Sequence, residues 1–585
     1  MIKADFSGFP GIERNGIMRK NDSKRTGFLT RLLSLAVIMA MLMCIVGCVA
    51  EPGHTNGSVN LGTNAPPTSN NTQPTVTQPP ATQPPQTDPD ALIYTLTQEN
   101  VDEFYRLLTE SEELAIAGED MDAIETLVDA LDESYEFLNA QCSIATILHY
   151  SHTKNADLEN QYLDCVDICT KANDAYLQMA RRVYQSDTPA KDMLFEGWTE
   201  QDIADLMAYD EQISVLQQRN AEIGVEYRTT KDDATKITLY IEFVQNNNRI
   251  AAFYDYDNYY TYAYERVYER DYDMDAVAQM RQYVKTYLVK SYDKALMNFS
   301  NSFYSELTYN DQVAVQDFLY ENYDYLSVDY IEMYLNAVPQ SLADNMRYML
   351  EHDSLFTEAG DAMPGAFTTS IGQRSYCYFG PGYASSNTVV HEGGHYYASR
   401  FCDISSVPLD LAETHSQGNE WLFVSFLEGV MPEKQHKALV DYLLYENIAM
   451  SLICMMVDEF EERVYTTDLT DFTAADFDAI MDTVTKGYFP FDDVSNKLAD
   501  MHSYWRQVVV EQPVYYISYA VSGIAALSMY TAAQADFDAA FATYQKLCEE
   551  PVLEAGFLGN ISEAGLASPF DEQFYRELKN MIYSH

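Results

Sequence analysis

The side chains best suited to chemistry lie in one short stretch, residues 388–397, which contains His391, Glu392 and His395 in the spacing H-E-x-x-H. On a helix, residues four apart project from the same face, so both imidazoles can bind one Zn²⁺ ion. Glu392 is rotated by about 100° from His391 around the helix axis. Its carboxylate can therefore reach a water molecule rather than the metal, which suits a general base. The pattern predicts a catalytic zinc centre.

A zinc centre of this kind needs a third protein ligand and an open fourth position. Ala398 and Phe401 stand where a metzincin carries glycine and histidine, so that class is excluded. Further along the chain, Glu413 and Glu420 are seven residues apart and would share one helix face. One of them can bind the metal while the other accepts a hydrogen bond from a ligand imidazole. By its spacing His415 could also be the third metal ligand, and Glu413 is the preferred candidate.

Three stretches together resemble the thimet oligopeptidase and oligoendopeptidase F family of zinc peptidases. They are E-G-G-H at 392–395, A-E-x-x-S-Q-x-x-E-W at 412–421 and P-x-Y-Y-x-x-Y at 513–519. The resemblance covers roughly the last 200 residues, and the N-terminal half resembles the family in being long and helical. It implies a zinc endopeptidase that hydrolyses peptide bonds in short peptides.

The same resemblance implies roles for individual residues. Glu413 becomes the third zinc ligand, and Glu420 becomes the carboxylate that supports a ligand imidazole. Tyr516 and Tyr519 become the pair of hydroxyls that face the scissile carbonyl, with Tyr515 as the alternate.

Two other functions stay open. One is a surface peptide-binding lipoprotein with a degenerate peptidase site. Val508, which stands where family members often carry a histidine, favours that reading, and the intact Glu392 argues against it. The other is a zinc carboxypeptidase, which needs a cationic or amide anchor for the substrate C-terminus. Candidate anchors are Arg374, Arg400 and Arg506.

The rest of the chain predicts the elements that position these residues. From about residue 91 apolar residues recur at helical spacing, and the chain is again helical after residue 430. Glycine and proline punctuate residues 359–383 and leave two short strand-like pieces, at 366–370 and 374–379. We therefore predict a mainly α-helical fold with a deep cleft between two helical halves, 91–330 and 331–585. A small β-sheet is expected beside the H-E-x-x-H helix.

The first 48 residues predict an export signal. A basic start precedes an almost wholly apolar run at 32–46, which is short for a membrane span. The run ends in I-V-G-C at 45–48, which resembles a bacterial lipobox and predicts a lipid on Cys48. An uncleaved anchor and a translation start at Met18 rather than Met1 are the alternatives. Residues 49–90 are rich in proline, threonine and glutamine and predict a disordered linker. The expected location is the extracellular face of the bacterial membrane.

The composition argues against some classes of binding partner and against a disulfide-based fold. The chain has 89 acidic against 36 basic residues, a net charge of −53, which argues against nucleic acid and against electrostatic docking on anionic lipid. The same charge favours cationic peptides. The nine cysteines show neither metal-like nor framework spacing, so no disulfide-dependent fold is expected. Cys165 and Cys169, one helical turn apart, are predicted to be packed rather than bridged.

Overall fold

The computed structural model describes residues 92–584 apart from 119, 321–328, 403–406, 471, 491–507 and 511. The predicted export signal, Cys48, the linker and Arg506 lie outside the described residues. Within them the chain is mainly α-helical and contains one three-stranded sheet. The predicted fold class is confirmed.

The N-terminal helices form long antiparallel layers. They are α1 Gln98–Ala117, α2 Met121–Ser151, α3 Ala156–Gln185, α4 Pro189–Leu194, α5 Glu200–Ala208, α6 Glu211–Thr229 and α7 Asp233–Phe253. Side-chain caps start several of them: Asp120 accepts from the N–H of Ala123 at α2, and Asn155 accepts from the N–H of Asp157 at α3. Apolar residues of α2 recur every three or four positions and are buried, as a helix packed on one side requires.

The middle helices are shorter, and three continue into π-helical turns. They are α8 Tyr259–Tyr262 with Ala263–Val267, α9 Met274–Tyr283 with Val284–Leu288, α10 Val289–Ser300 with Asn301–Glu306, α11 Tyr309–Tyr320, α12 Tyr330–Leu335 and α13 Gln340–His352. The tyrosine-rich start of α8 packs inward: Tyr260 is buried and its hydroxyl donates to Asp458 at 3.0 Å.

The sheet has the strand order β1-β3-β2. The strands are β1 Ser354–Phe356, β2 Ala366–Ile371 and β3 Arg374–Phe379. β1 runs parallel to β3, and β2 runs antiparallel to β3 with Thr368 opposite Cys377. Gly372 lies in the two-residue turn between β2 and β3 at φ +61°, a conformation that favours glycine. Both strands predicted from the sequence are confirmed.

The C-terminal helices surround the predicted site. They are α14 Ser386–Ala398, α15 Leu409–Phe426, α16 Glu433–Tyr465, α17 Ala474–Tyr488, α18 Ile517–Ala535, α19 Phe537–Glu549, α20 Gly556–Glu563 and α21 Glu572–Ser584. α15 lies between α14 and α18 and packs extensively on both. α16 is long and apolar enough to cross a membrane, but 61% of its most apolar window is buried inside the fold, as in a core helix.

Apolar residues form two large cores. The smaller lies between residues 101 and 250 and is built mostly from the N-terminal helices. The larger extends from Ile223 to Ile582 and encloses the H-E-x-x-H helix. A third, small cluster joins α2 to the sheet, where the Tyr378 hydroxyl donates to the carbonyl of Tyr150 at 3.0 Å. The predicted division at residue 330 stays a prediction, and the larger core already includes residues from 223 onward.

Candidate metal centre and active site

The two histidines of the H-E-x-x-H motif share the face of α14 that looks towards α15. His391 Nε2 lies 3.8 Å and His395 Nε2 lies 3.7 Å from Oε2 of Glu413. One ligand atom from each of the three residues lies within 4.8 Å of the others. Tetrahedral zinc with ligands at its usual distances separates nitrogen and oxygen ligands by about 3.4 Å. The three residues therefore fit a zinc ion with a small adjustment.

The protonation of His395 also suits a metal ligand. The side chain is buried, and burial holds its pKa well below the ordinary value, with His391 and His415 adding to the effect. A neutral imidazole keeps the lone pair that a metal ion requires.

Close packing of α14 on α15 brings Glu413 to the histidines. A Cβ at Gly394 would lie 2.7 Å from both the carbonyl oxygen of His415 and the Cα of Ser416. Real side chains do not reach that distance, so glycine at 394 allows the two helix backbones to touch. The second glycine of E-G-G-H thus has a packing role that the sequence reading did not identify.

A second carboxylate orients His391. Glu420 Oε1 lies 2.5 Å from His391 Nδ1, and Glu420 Oε2 accepts from Asn387 Nδ2 at 2.5 Å. With Nδ1–H donating to Glu420, the lone pair of His391 is on Nε2, which faces Glu413. The structure therefore places Glu420 behind the ligand set and Glu413 in it. Asn387 precedes His391 by one helical turn, a spacing that could have identified it from the sequence.

The third ligand candidate is held in place by hydroxyl groups. Glu413 Oε1 accepts from the Tyr515 hydroxyl at 3.0 Å, and its Oε2 lies 3.3 Å from the Ser416 hydroxyl. Burial raises the pKa of Glu413, while His391 and these two hydrogen bonds act in the opposite direction.

Glu392 is fully buried beside the ligand set, and its two oxygens differ. Oε2 accepts from the Thr368 hydroxyl of β2 at 2.6 Å. Oε1 has no hydrogen-bond partner among the described residues. Burial raises the pKa of Glu392 to about 7, against the lowering effects of His391 and Thr368. The small sheet thus fixes one oxygen of the carboxylate and leaves the other available. Nothing local in the sequence pointed to Thr368, which is 24 residues away from Glu392.

The tyrosine-rich segment lies next to the ligands. The ring of Tyr519 makes edge contacts with Tyr515, at 5.4 Å between centroids, and with Tyr516, at 5.7 Å. Tyr515, the alternate in the sequence reading, is the tyrosine whose hydroxyl bonds to Glu413. That Tyr516 and Tyr519 face substrate stays a prediction. Val508 is 4% exposed and packs in the larger core.

Three other residues considered from the sequence, one histidine and two arginines, lie in different surroundings. His415 Nε2 is 3.2 Å from the carbonyl oxygen of Leu547, so that nitrogen acts as a donor there. Burial lowers the pKa of His415 to about 4. Arg374 forms an ion pair with the buried Asp353 and also donates to the carbonyl of His352 at 3.1 Å. Arg400 is exposed at the end of α14.

Comparison with known proteins supports the fold. No family model and no curated protein matches the sequence. Among solved structures, PZ peptidase A with an inhibitor matches with a TM-score of 0.66 at 16% identity, over 85% of this chain and 99% of that one. A protein described as oligoendopeptidase F matches with a TM-score of 0.66 at 18% identity, over 84% of this chain and 98% of that one.

A third match is a Bacillus anthracis strain Ames protein, also described as an oligoendopeptidase F. Its TM-score is 0.63 at 18% identity, over 84% of this chain and 97% of that one. This chain therefore has the fold of these peptidases over nearly their whole length.

Proposed function

We propose that this protein is a zinc-dependent metalloendopeptidase that hydrolyses peptide bonds in short peptides. The observation that carries the proposal is the convergence of His391, His395 and Glu413 within 4.8 Å, with the buried Glu392 beside them. The shared fold with oligoendopeptidase F and PZ peptidase A supports the substrate class.

Each residue of the centre has a distinct task. His391, His395 and Glu413 would hold the zinc ion, which when bound would supply Lewis acidity to polarise a carbonyl group and to lower the pKa of water. Thr368 fixes Oε2 of Glu392, so that Oε1 can take the proton of the attacking water. As the C–O bond forms and the C–N bond breaks, Glu392 passes this proton to the leaving amine.

The tyrosine segment supplies donors to the developing oxyanion. Donors aimed at the place where negative charge develops contribute strongly to acyl transfer. The Tyr515 hydroxyl donates its proton to Glu413, so Tyr516 and Tyr519 are the expected donors to the oxyanion. Because Val508 offers no donor, we expect this chain to depend more heavily on the tyrosines.

A mixed peptide library tests the reaction class. Products are identified by mass spectrometry with the full chain, with a chelator present, and with Glu392→Gln as the matched control. We expect internal cuts that disappear in both controls. Removal of single C-terminal residues would favour a zinc carboxypeptidase, although Arg374 already pairs with Asp353. Binding without any cut would identify a peptide-binding protein with a degenerate site.

We also propose that the protein is exported and anchored to the extracellular face of the membrane by a lipid on Cys48. The basic start, the short apolar run and the I-V-G-C ending support this proposal. Cells fed an alkyne fatty acid should label the wild type and not Cys48→Ala. Equal labelling of both would contradict it.

A further inference from the structure

A second group of potential metal ligands lies in the smaller core, far along the chain from the H-E-x-x-H motif. Cys142 of α2 and Cys165 and Cys169 of α3 are all at most 1% exposed. One sulfur from each lies within 4.8 Å of the other two. Cys165 and Cys169 share a helix face because they are four residues apart.

We propose that Cys142, Cys165 and Cys169 form a buried metal site that binds one soft d10 ion such as Zn²⁺ or Cd²⁺. Metal–sulfur bonds of about 2.3 Å place thiolate sulfurs about 3.8–4.0 Å apart. The observed sulfurs need to move by less than about 1 Å to reach that spacing. Thiolates select soft metals, whereas the His, His and Glu set does not.

The surroundings favour a structural site over a catalytic one. The three sulfurs belong to an apolar core, against which Tyr94 packs from the segment before α1. The Cys169 thiol donates to the carbonyl of Leu138 at 3.4 Å and would give up this hydrogen bond on binding a metal as a thiolate. A metal ion here would tie α2 to α3, and the burial of all three sulfurs keeps substrate away from it.

Absorption spectroscopy with Cd²⁺ tests the site in the reduced full-length protein after bound metal has been removed with a chelator. Cadmium thiolates absorb by ligand-to-metal charge transfer, and the His391, His395 and Glu413 set contains no sulfur. We expect one equivalent of Cd²⁺ to produce this band and to raise Tm. The band should be lost in Cys142→Ser, Cys165→Ser and Cys169→Ser.

Cys454→Ser is the matched control, because Cys454 is equally buried but its sulfur contacts Met450 Sδ at 3.3 Å. Circular dichroism confirms that each variant is folded. The proposal is overturned if the wild type shows no band or if the band survives in all three variants. It is also overturned if protein isolated without reductant contains a disulfide among the three cysteines.

A different observation concerns the backbone that carries the tyrosines. Val514 has φ +62°, a conformation that β-branched residues rarely adopt. Its N–H donates to Glu461 Oε1 at 2.8 Å, and its carbonyl accepts from Arg270 Nη2 at 2.8 Å. The neighbouring Pro513 carbonyl accepts from the Tyr268 hydroxyl at 2.8 Å. Several side chains therefore hold one strained peptide segment.

Arg270 is the centre of this arrangement. It is buried, its guanidinium lies 4.3 Å from the Tyr264 ring and 4.4 Å from the Tyr268 ring, and Nη2 also donates to Ser518 at 3.0 Å. Strained backbone persists where surrounding groups determine it, and it concentrates at functional sites. We infer that Arg270 is a positioning residue that sets the Tyr515 hydroxyl against Glu413. This inference rests on the proposed function.

Double-mutant kinetics test whether Arg270 acts through Tyr515. We expect Arg270→Met to lower kcat about tenfold or more at full zinc content, with a smaller loss for Tyr268→Phe. Combined with Tyr515→Phe, Arg270→Met should add little further loss, because both changes remove the same contribution. Val514→Gly, which relieves the strain, should restore part of the activity of Arg270→Met.

Additive losses, or normal activity in Arg270→Met, would overturn the positioning role. Wild-type protein that cleaves no peptide would instead overturn the proposed function, so the two failures are distinguishable. If Arg270→Met does not fold, Tyr268→Phe provides the test instead, because it removes only one hydroxyl from the group that holds this segment.

Discussion

The described part of the molecule contains two compact groups of side chains that could bind a metal, and the residues around the two groups differ. Both groups bring three ligand atoms within 4.8 Å of one another. The group at α14 and α15 is contacted by Glu420 and Tyr515 and lies beside Glu392, whose Oε1 has no hydrogen-bond partner among the described residues. The thiol group at α2 and α3 is enclosed by an apolar core.

Under the two proposals, the difference is what would separate a catalytic centre from a structural one. Ligand convergence alone is the same in both places. A carboxylate with an available oxygen and hydroxyl donors nearby can move protons and stabilise charge, whereas a buried group of thiols in an apolar core can only hold an ion. The supporting groups decide the chemistry.

The largest effect is expected from removing a ligand of the catalytic group. His395→Ala should abolish zinc binding and hydrolysis, because two ligands cannot retain the ion. His352→Ala, an exposed histidine, is the control. Metal analysis and turnover are measured on both, before and after chelation and zinc readdition. Zinc should restore the chelated wild type and leave His395→Ala inactive; activity in that variant would contradict the ligand assignment.

Glu392→Gln should reduce kcat by about 10²–10⁴-fold while zinc remains bound, since the residue moves protons and is not a ligand. Single-turnover hydrolysis and metal analysis on the same sample provide the measurement. Loss of stoichiometric zinc from the folded variant would show the role to be wrong.

Removing one oxyanion donor typically lowers kcat by about 10²–10³-fold. We expect a loss of that size for at least one of Tyr516→Phe and Tyr519→Phe, with KM little changed. Tyr530→Phe, which packs on Trp421 instead, is the control. If both variants turn over within about threefold of wild type, these two tyrosines serve packing alone.

Glu420→Gln should weaken zinc binding by about 10–100-fold, because an amide orients the His391 ring less well than a carboxylate. Competition with a chromophoric chelator measures the affinity. Unchanged affinity would mean that the contact between Glu420 and His391 does not tune the ligand.

The smallest effect on peptide hydrolysis is expected from a change in the thiol group. Cys165→Ser should leave kcat and KM within about twofold of wild type, because the thiol group lies in a different core. The same variant should lose the Cd²⁺ band. A large fall in peptide hydrolysis would show that the two groups are coupled.

Much of the candidate metal centre was predictable because the residues of the H-E-x-x-H motif are close together in the sequence. The four-residue step from His391 to His395 fixes their common face on any helix, and the motif excludes Glu392 from that face. Both strands near the site also follow from glycine and proline punctuation around short β-like runs.

The partners of these residues were decided by the tertiary structure. Thr368 reaches Glu392 because β2 packs against α14, and Arg270 reaches Val514 across 244 residues. No periodicity within one segment encodes such contacts.

The sequence by itself therefore determined the helical class, the metal-ligand types and the candidate base, since helix geometry converts spacing into direction. The family resemblance in the sequence already favoured Glu413 over Glu420 as the third ligand. The contact of Tyr515 with Glu413 and the meeting of three thiols depended on the tertiary structure. Those features arise from how closely helices approach one another, as at Gly394, and that distance is set by packing of the whole core.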